Sequence, residues 1–294
     1  MERLLPPDIE MNQLNVNSNI RIFLTYYLTE ENQQIMSNYQ FENYRVFIKN
    51  APHFSTTAPL PDSLLLKKEG KISVYYAPFE YVNENARIVL VGITPGLQQA
   101  ANALNAAKNE LEEGNSSEEI LKAVKSAASF SGPMRNNLVS MLDHVGIHKK
   151  LGISSTSWLF ASHSHLVQMA SILKNPVFVD GGNYSGSPSM LKTPVLKDLI
   201  QDFFVTEICN KLKKPLFISL SPKVTEALEW LASQKIINEN QILSGIPHPS
   251  GANAERIAYF LGNKSKDQLS IKTNPDSIDK SKHDLLIKIG AIEC

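Results

Sequence analysis

Four points of the sequence carry residues that could take part in chemistry, and most of these residues lie near glycine or proline. The first is Gly92-Ile93-Thr94-Pro95-Gly96. Glycine and proline form a tight turn there, and the backbone of such a turn can approach a ligand closely. The alternative is an ordinary turn between a strand and a helix.

A histidine between two prolines marks the second point, in the sequence PHPS at 247–250. Proline restricts its own φ angle and the conformation of the residue before it, so this segment holds His248 rigidly. Ser250 or Asn253 would cap a helix that begins near Ala254. The alternative is a capped loop in which the histidine has no chemical role.

The third point comprises two polar segments, and the fourth is an aromatic residue. Ser162 and His163 open an SHSH run, but two histidines at i and i+2 without a third ligand are not a zinc pattern. Asp180 begins a loop of small polar residues that contains Tyr184, which either lines a pocket for a hydroxyl-rich group or is merely exposed. Phe130 precedes a Gly-Pro turn and either offers a flat face to a base or packs in the core.

Alternating apolar strands and helical segments predict the framework that positions these residues. A parallel sheet covered by helices produces this alternation, and its ligands lie beyond the carboxyl ends of the strands. The predicted strands of the sheet are 87–91, 157–161, 216–220 and a weaker one at 241–245. The predicted helices are 98–113, 117–129, 133–146, 190–213 and 222–234.

These elements predict an α/β fold with three layers, α/β/α, around a central, mainly parallel sheet of four strands. A short strand at 71–76 leads into this domain. The expected division is an N-terminal helical extension at 1–70, a main α/β domain at 71–263 and a polar C-terminal tail at 264–294. A chain of 294 residues is long enough for such a core.

Composition narrows the function classes. No apolar run reaches the roughly 18 residues of a membrane span, and the first residues do not resemble a secretory signal. Two cysteines exclude a disulfide framework and a Cys-rich metal site, and we expect a reducing, cytoplasmic setting. The sequence implies no metal or organic cofactor. The 29 basic and 29 acidic residues cancel, so any contact with nucleic acid must come from a local patch. We expect neither a membrane partner nor an obligate protein partner.

In their order along the chain, these segments resemble the motifs of the uracil-DNA glycosylase superfamily. The turn at 92–96 matches its Gly-x-x-Pro-Gly-type motif, and the segment 129–147 looks like its Phe-x-Gly segment and following helix. His248-Pro249-Ser250 matches its His-Pro-Ser turn. The resemblance covers roughly residues 71–263 and leaves 1–70 and 97–128 unassigned.

The resemblance implies roles for individual residues. Thr94 stands where many members carry the Asp or Asn that activates water, and His248 stands where the family stabilises negative charge on the leaving base. Asp180 and His163 are the other candidates for activating water. The implied base-binding residues are Gly92, Ile93, Pro95, Gly96, Phe130, Ser162 and Tyr184. The implied DNA contacts are Arg135, Pro249, Ser250, Gly251, Ala252 and Asn253, and further candidates for phosphate contacts are Lys122, Lys125, His148, Lys149, Lys150 and Lys192.

Three departures from the family pattern favour an unusual base. Thr94 cannot act as a general base, no asparagine that reads uracil is evident near Ser162, and Ala252 is a weak wedge for the duplex. The resemblance therefore implies a DNA glycosylase for a modified pyrimidine, with glucosylated hydroxymethylcytosine of phage DNA as the specific expectation. Two alternatives stay open: a repair glycosylase for uracil or a damaged base, and a catalytically silent DNA-binding protein.

Overall fold

The computed structural model describes residues 30–129 and 132–292. Within these ranges the chain has a mixed α/β fold with two four-stranded sheets. The strands are β1 (Leu65–Glu69), β2 (Ile72–Tyr75), β3 (Ile88–Gly92), β4 (Val167–Ser171), β5 (Val177–Val179), β6 (Gly182–Asn183), β7 (Leu216–Ser219) and β8 (Ile242–Leu243). The predicted α/β class and the parallel four-stranded sheet are confirmed.

Helices account for most of the remaining described residues. They are α1 (Glu30–Asn50), α2 (Leu97–Glu112), α3 (Ser117–Ala128), α4 (Pro133–His144), α5 (Ile147–Leu151), α6 (Pro194–Leu199), α7 (Pro222–Ser233), α8 (Ala254–Phe260) and α9 (Pro275–Gly290). A π-helix at Ile200–Cys209 continues α6, so the helix predicted at 190–213 consists of two segments with different hydrogen bonding.

The parallel sheet has the strand order β4-β3-β7-β8, and all of its neighbouring strands are parallel. Side chains of β3 alternate between its two faces, as in any strand. Ile88 and Leu90 pack in one apolar cluster with residues of α4, α8 and α9. Val89 and Val91 pack in another cluster with residues of α6, the π-helix and α7. Burial on both faces explains why this strand reads as a continuous apolar run.

The strand predicted at 71–76 belongs to the other sheet. It corresponds to β2, which pairs antiparallel with β1 and β5, and β6 completes this second sheet. The pairing of β1 with β2 spans the predicted boundary at residue 70, because Glu69 of β1 lies opposite Ile72 of β2.

The strand predicted at 157–161 is wrong. The segment Thr156–Phe160 is a 3₁₀ helix, because the hydroxyl of Ser155 caps it and Asp143 accepts hydrogen bonds from both Ser155 and the backbone N–H of Thr156. The strand next to β3 is β4 instead. Gln168 interrupts the apolar pattern of β4, yet its side chain is buried and accepts a hydrogen bond from the backbone N–H of Asn83.

The segment predicted as a polar tail contains a helix, α9. Asn274 caps this helix by accepting a hydrogen bond from the backbone N–H of Ser277. Leu285 and Ile289 are buried against the parallel sheet. Only a narrow apolar stripe on an otherwise polar helix contacts the core, which is why composition alone suggested a loop.

A third apolar cluster joins α1 to the pair α2 and α3. Phe41 and Ile48 of α1 pack with Leu104 of α2 and Ile120 of α3. The two stretches without a counterpart in the family resemblance, 1–70 and 97–128, therefore share one core within the described residues. Phe178 of β5 belongs to the same cluster and connects it to the antiparallel sheet.

Candidate functional site

A cavity of about 240 Å³ lies at the carboxyl ends of β3 and β4. The turn after β3, the end of β4 and the loop after β8 all contribute to its wall, so it occupies the position where parallel sheets bind ligands. Its lining residues are Phe79, Gly92, Ile93, Thr94, Pro95, Gln99, Lys125, Ser129, Met134, Met169, Ala170, Ser171, Lys174, Tyr184, Ser185, Phe203 and His248.

The cavity brings together residues from three of the predicted segments. The turn after β3 supplies Gly92, Ile93, Thr94 and Pro95. The polar loop after β5 supplies Tyr184, and the Pro-His-Pro turn supplies His248. Gly96 lies just outside the lining, where its backbone N–H donates to the Gln99 side chain at 3.1 Å and begins α2.

The surroundings of His248 determine which ring nitrogen carries its proton. The backbone N–H of Ser250 donates to Nδ1 at 3.3 Å, so Nδ1 is an acceptor and Nε2 carries the hydrogen. Burial lowers the pKa of His248 below its ordinary value. The imidazole is therefore neutral at physiological pH, with one N–H donor left for a ligand.

Thr94 is held by the loop that leads into the antiparallel sheet. Its hydroxyl donates to the carbonyl oxygen of Asn175 at 2.8 Å and accepts from the backbone N–H of Val177 at 3.1 Å. A hydroxyl has one hydrogen and two lone pairs, so a single acceptor position remains. Thr94 can accept a hydrogen bond from a water molecule, but its own hydrogen is already used.

Tyr184 is a fixed wall of the cavity. Its hydroxyl donates to the carbonyl oxygen of Pro188 at 2.6 Å, and the side chain is buried. Burial raises the pKa of this phenol to about 12, so it is neutral. What Tyr184 offers a ligand is ring surface.

Three of the predicted site residues lie away from this cavity. Ser162 and His163 precede β4, because that strand begins at Val167, and they therefore lie at the amino-terminal edge of the sheet. There the His163 ring stacks on Trp158, with 4.9 Å between ring centroids. Asp180 is in the turn between β5 and β6 and forms an exposed ion pair with Lys71 at 2.8 Å.

The predicted DNA contacts fall into two groups. The guanidinium of Arg135 donates to the carbonyl oxygens of Ser126 and Ser129 and lies 4.7 Å from the ring centre of Phe160, so it ties α3 to α4. The loop after His248 is more accessible: Gly251 and Ala252 are exposed.

Two other members of that loop have internal partners. Pro249 is buried and accepts a hydrogen bond from Asn137. Asn253 donates to the hydroxyl of Ser250. Phe130, the predicted stacking residue, lies outside the described residues.

Two lysines give the cavity a chemical character that the sequence analysis missed. Lys125 was considered only as a surface contact for phosphate, yet 8% of it is exposed and its Nζ donates to the carbonyl oxygen of Phe79 at 3.0 Å. The pKa of Lys125 is lowered to about 7: burial is the largest cause, Glu80 opposes the shift, and neighbouring Lys174 contributes to it. Lys174 lines the same cavity, and burial lowers its pKa as well.

Glu80 and Tyr76 are buried beside these lysines. Neither carboxylate oxygen of Glu80 has a hydrogen-bond partner within the described residues, and the same holds for the hydroxyl of Tyr76. Burial raises the pKa of the Glu80 carboxyl above its ordinary value, although Lys174 partly counteracts this. Unsatisfied buried polar groups are costly, and functional sites are where they are commonly retained.

One sequence signal could have located Lys174. It stands three residues beyond β4, so a correct register for that strand would have placed it at the ligand-binding edge. No local pattern marks Lys125, because its burial depends on the packing of α3 against residues more than 40 positions earlier in the chain.

A second, larger cavity of about 550 Å³ adjoins His248. The ends of β7 and β8 and one face of α9 form its wall, and Asn253 and Arg256 contribute polar groups. His248 therefore lines both cavities at the carboxyl edge of the parallel sheet.

The described residues contain no cluster of three or more His, Cys, Asp or Glu side chains arranged to hold a metal ion. In the same ranges, none of the helices combines the length and the apolar character that crossing a membrane requires.

Comparison with known proteins identifies a relative of uncharacterized function. No family model matches the chain, and no solved structure matches it. A protein of Bacillus subtilis (strain 168) named "Uncharacterized protein YoxB" is 34% identical over 222 residues. This match covers 75% of the present chain and 87% of the Bacillus protein. An identity of this size over most of both chains shows common descent, and the chain belongs to the family of YoxB.

Proposed function

We propose that the protein is a DNA glycosylase that flips a modified pyrimidine out of DNA and hydrolyses its N-glycosidic bond, leaving an abasic site. The observation that carries this proposal is the convergence of Thr94, Tyr184 and His248, from three separate loops, on one cavity at the carboxyl edge of the parallel sheet. The family resemblance of the turns at 92–96 and 248–250 supports the same assignment.

The chemistry of these residues suits the breaking of a glycosidic bond. Positive charge develops on the sugar and negative charge on the departing base, as in glycoside hydrolysis. The Nε2–H of neutral His248 would donate to the pyrimidine O2, where that negative charge develops. One fixed donor of this kind is worth about 2.7–4 kcal/mol of transition-state stabilisation.

Thr94 and Tyr184 would supply positioning. The remaining acceptor position of Thr94 would orient the attacking water, and the ring of Tyr184 would contact the flipped base. A base that leaves the duplex loses stacking worth a few kcal/mol. Contact with the cavity wall would offset part of this loss.

The proposed substrate is glucosylated hydroxymethylcytosine. Cytosine retains the O2 to which His248 would donate, and the larger cavity on the other side of His248 offers room for a bulky substituent.

The proposal includes the three-layer α/β/α arrangement with its N-terminal extension, DNA as the partner, and a cytoplasmic location. The domain boundaries at 70 and 263 also stay a prediction.

A base-release assay tests the proposal. The purified protein is incubated with glucosylated phage DNA, hydroxymethylcytosine DNA, uracil DNA and unmodified DNA, and free base is measured by mass spectrometry. We expect release from the glucosylated DNA. Release of uracil instead would support a repair enzyme, and no release from any DNA would favour a silent binding protein.

His248→Ala provides the sharpest variant of this assay. We expect base release to fall by about 10²–10³-fold, because the variant lacks the donor to the leaving base. His53→Ala, which changes an exposed histidine outside the cavity lining, is the matched control and should release base at the normal rate. Unchanged release by His248→Ala would show that this histidine has no role in the reaction.

A further inference from the structure

Lys125 has the surroundings of a nucleophilic amine. It lines the cavity, it is almost fully buried, and its Nζ donates a hydrogen bond to the neutral carbonyl oxygen of Phe79. None of the ion pairs among the described residues includes it. A lysine is activated as a nucleophile when it is removed from water or placed beside a second cation.

Both conditions are met here. The Nζ of Lys125 lies 5.7 Å from the ring centre of Phe79, and the Nζ of Lys174 lies 4.8 Å from the ring centre of Phe203. The two lysine side chains line the same small cavity beside aromatic rings, and the positive charge of Lys174 disfavours the charged form of Lys125. With a pKa of about 7, a large share of Lys125 is the free amine at neutral pH.

The proposed reaction would leave a carbonyl compound in this cavity. Loss of the base exposes C1′ of deoxyribose, which is an aldehyde in the ring-opened form of the abasic site. We propose that Lys125 forms an imine with this C1′ aldehyde and that the protein thereby also cleaves the DNA strand at the abasic site. This inference rests on the proposed glycosylase function, because that function supplies the aldehyde.

The steps balance without an oxidant or reductant. The Lys125 amine adds to C1′, and loss of one water molecule gives the imine. A proton then leaves C2′ to water, its electron pair forms the C2′–C3′ double bond, and the C3′–O bond breaks with the phosphate as leaving group. Water finally hydrolyses the imine, which releases an unsaturated aldehyde and returns the Lys125 amine.

Borohydride trapping tests the inference separately from base release. The full-length protein is incubated with duplex DNA that already contains an abasic site, in the presence of cyanoborohydride, which reduces the imine to a stable amine. We expect a covalent protein–DNA adduct on a denaturing gel, and peptide mass spectrometry should locate it at Lys125. Without the reductant we expect strand cleavage with an unsaturated aldehyde at the 3′ end.

Variants identify the reacting amine. Lys125→Met and Lys125→Arg should both lose the adduct. If the methionine variant does not fold, the arginine variant still tests the inference, because it keeps a long cationic side chain. Lys280→Met, which changes an exposed lysine on α9, should form the adduct at the normal level. An adduct that survives in folded Lys125→Arg, or that maps to another lysine, would overturn the inference.

The two proposals fail in different ways. Base release without trapping would overturn the role of Lys125 and leave a glycosylase that only hydrolyses the base. Trapping at Lys125 without release of any base would support the amine chemistry and overturn the glycosylase proposal. Absence of both activities would overturn both.

Discussion

Lys125, Lys174 and Glu80 illustrate how burial sets chemistry at the scale of single residues. Each is removed from water, and in each the largest cause of the pKa shift is the loss of hydration, which disfavours the charged form. The charges of the three then modify one another. Lys174 lowers the pKa of Lys125, whereas Glu80 raises it.

Substitution of the two neighbours should therefore move the pKa of Lys125 in opposite directions. Glu80→Gln removes a negative charge and should lower the pKa of Lys125 below about 7, whereas Lys174→Met removes a positive charge and should raise it. The measurement is a pH titration by NMR of the protein with ¹³C-dimethylated lysines. The resonance of the exposed Lys280 serves as the internal reference and should not differ between the variants and the natural protein. Shifts of the same sign in both variants would contradict this electrostatic account.

At the scale of elements, the hydroxyl of Thr94 joins the two sheets. β3 of the parallel sheet ends just before Thr94, and Val177, which donates to this hydroxyl, begins β5 of the antiparallel sheet. The turn after β3 that contains Thr94 also forms part of the cavity wall. The geometry of the site at this point depends on how the two sheets are connected.

Thr94→Val should show how much this structural role contributes to stability. The variant leaves the Asn175 carbonyl and the Val177 N–H without their partner, so we expect a loss of about 1–3 kcal/mol in the free energy of unfolding. Thr94→Ser keeps the hydroxyl and should lose much less. Urea denaturation measures both values, and a valine variant as stable as the natural protein would show that these bonds contribute nothing.

At the scale of the whole molecule, the C-terminal helix determines where the loop of His248 can lie. Gly245 follows β8 with φ of +111°, and a Cβ atom there would come within 2.5 Å of the Ser281 carbonyl oxygen on α9. The backbone after β8 thus packs directly on the backbone of α9. Helix α9 is therefore in direct contact with the segment that leads to His248.

Gly245→Ala should therefore disturb both the fold and the site. Backbone strain at such a φ angle costs about 1–3 kcal/mol, and the clash with α9 should add about 1–3 kcal/mol. Gly262→Ala is the matched control, because its φ is +80° but nothing lies within 4 Å of the added Cβ. We expect thermal unfolding to show the larger loss for Gly245→Ala. Equal losses of stability for the two variants would mean that α9 shifts enough to accommodate the added Cβ atom.

The sequence alone determined the features that depend on near neighbours. The run at 87–91 indicated a buried strand, the glycine and proline at 92–96 indicated a tight turn, and two prolines indicated a rigid His248. Each of these signals acts through local sterics or through side-chain periodicity over a few residues. They were enough to predict a parallel sheet and the convergence of its loops.

Tertiary structure alone decided the rest, because burial and pairing depend on residues far apart in the chain. Contacts across the sheet decide which segment pairs with β3, and that segment is Val167–Ser171. The prediction of a strand at 157–161 placed Ser162 and His163 at the wrong edge of the sheet. In the sequence, Lys125 cannot be distinguished from a surface lysine. Only in the folded chain is it buried, with its Nζ bonded to the carbonyl oxygen of Phe79. The loss of hydration that gives this amine its character exists only in the folded chain.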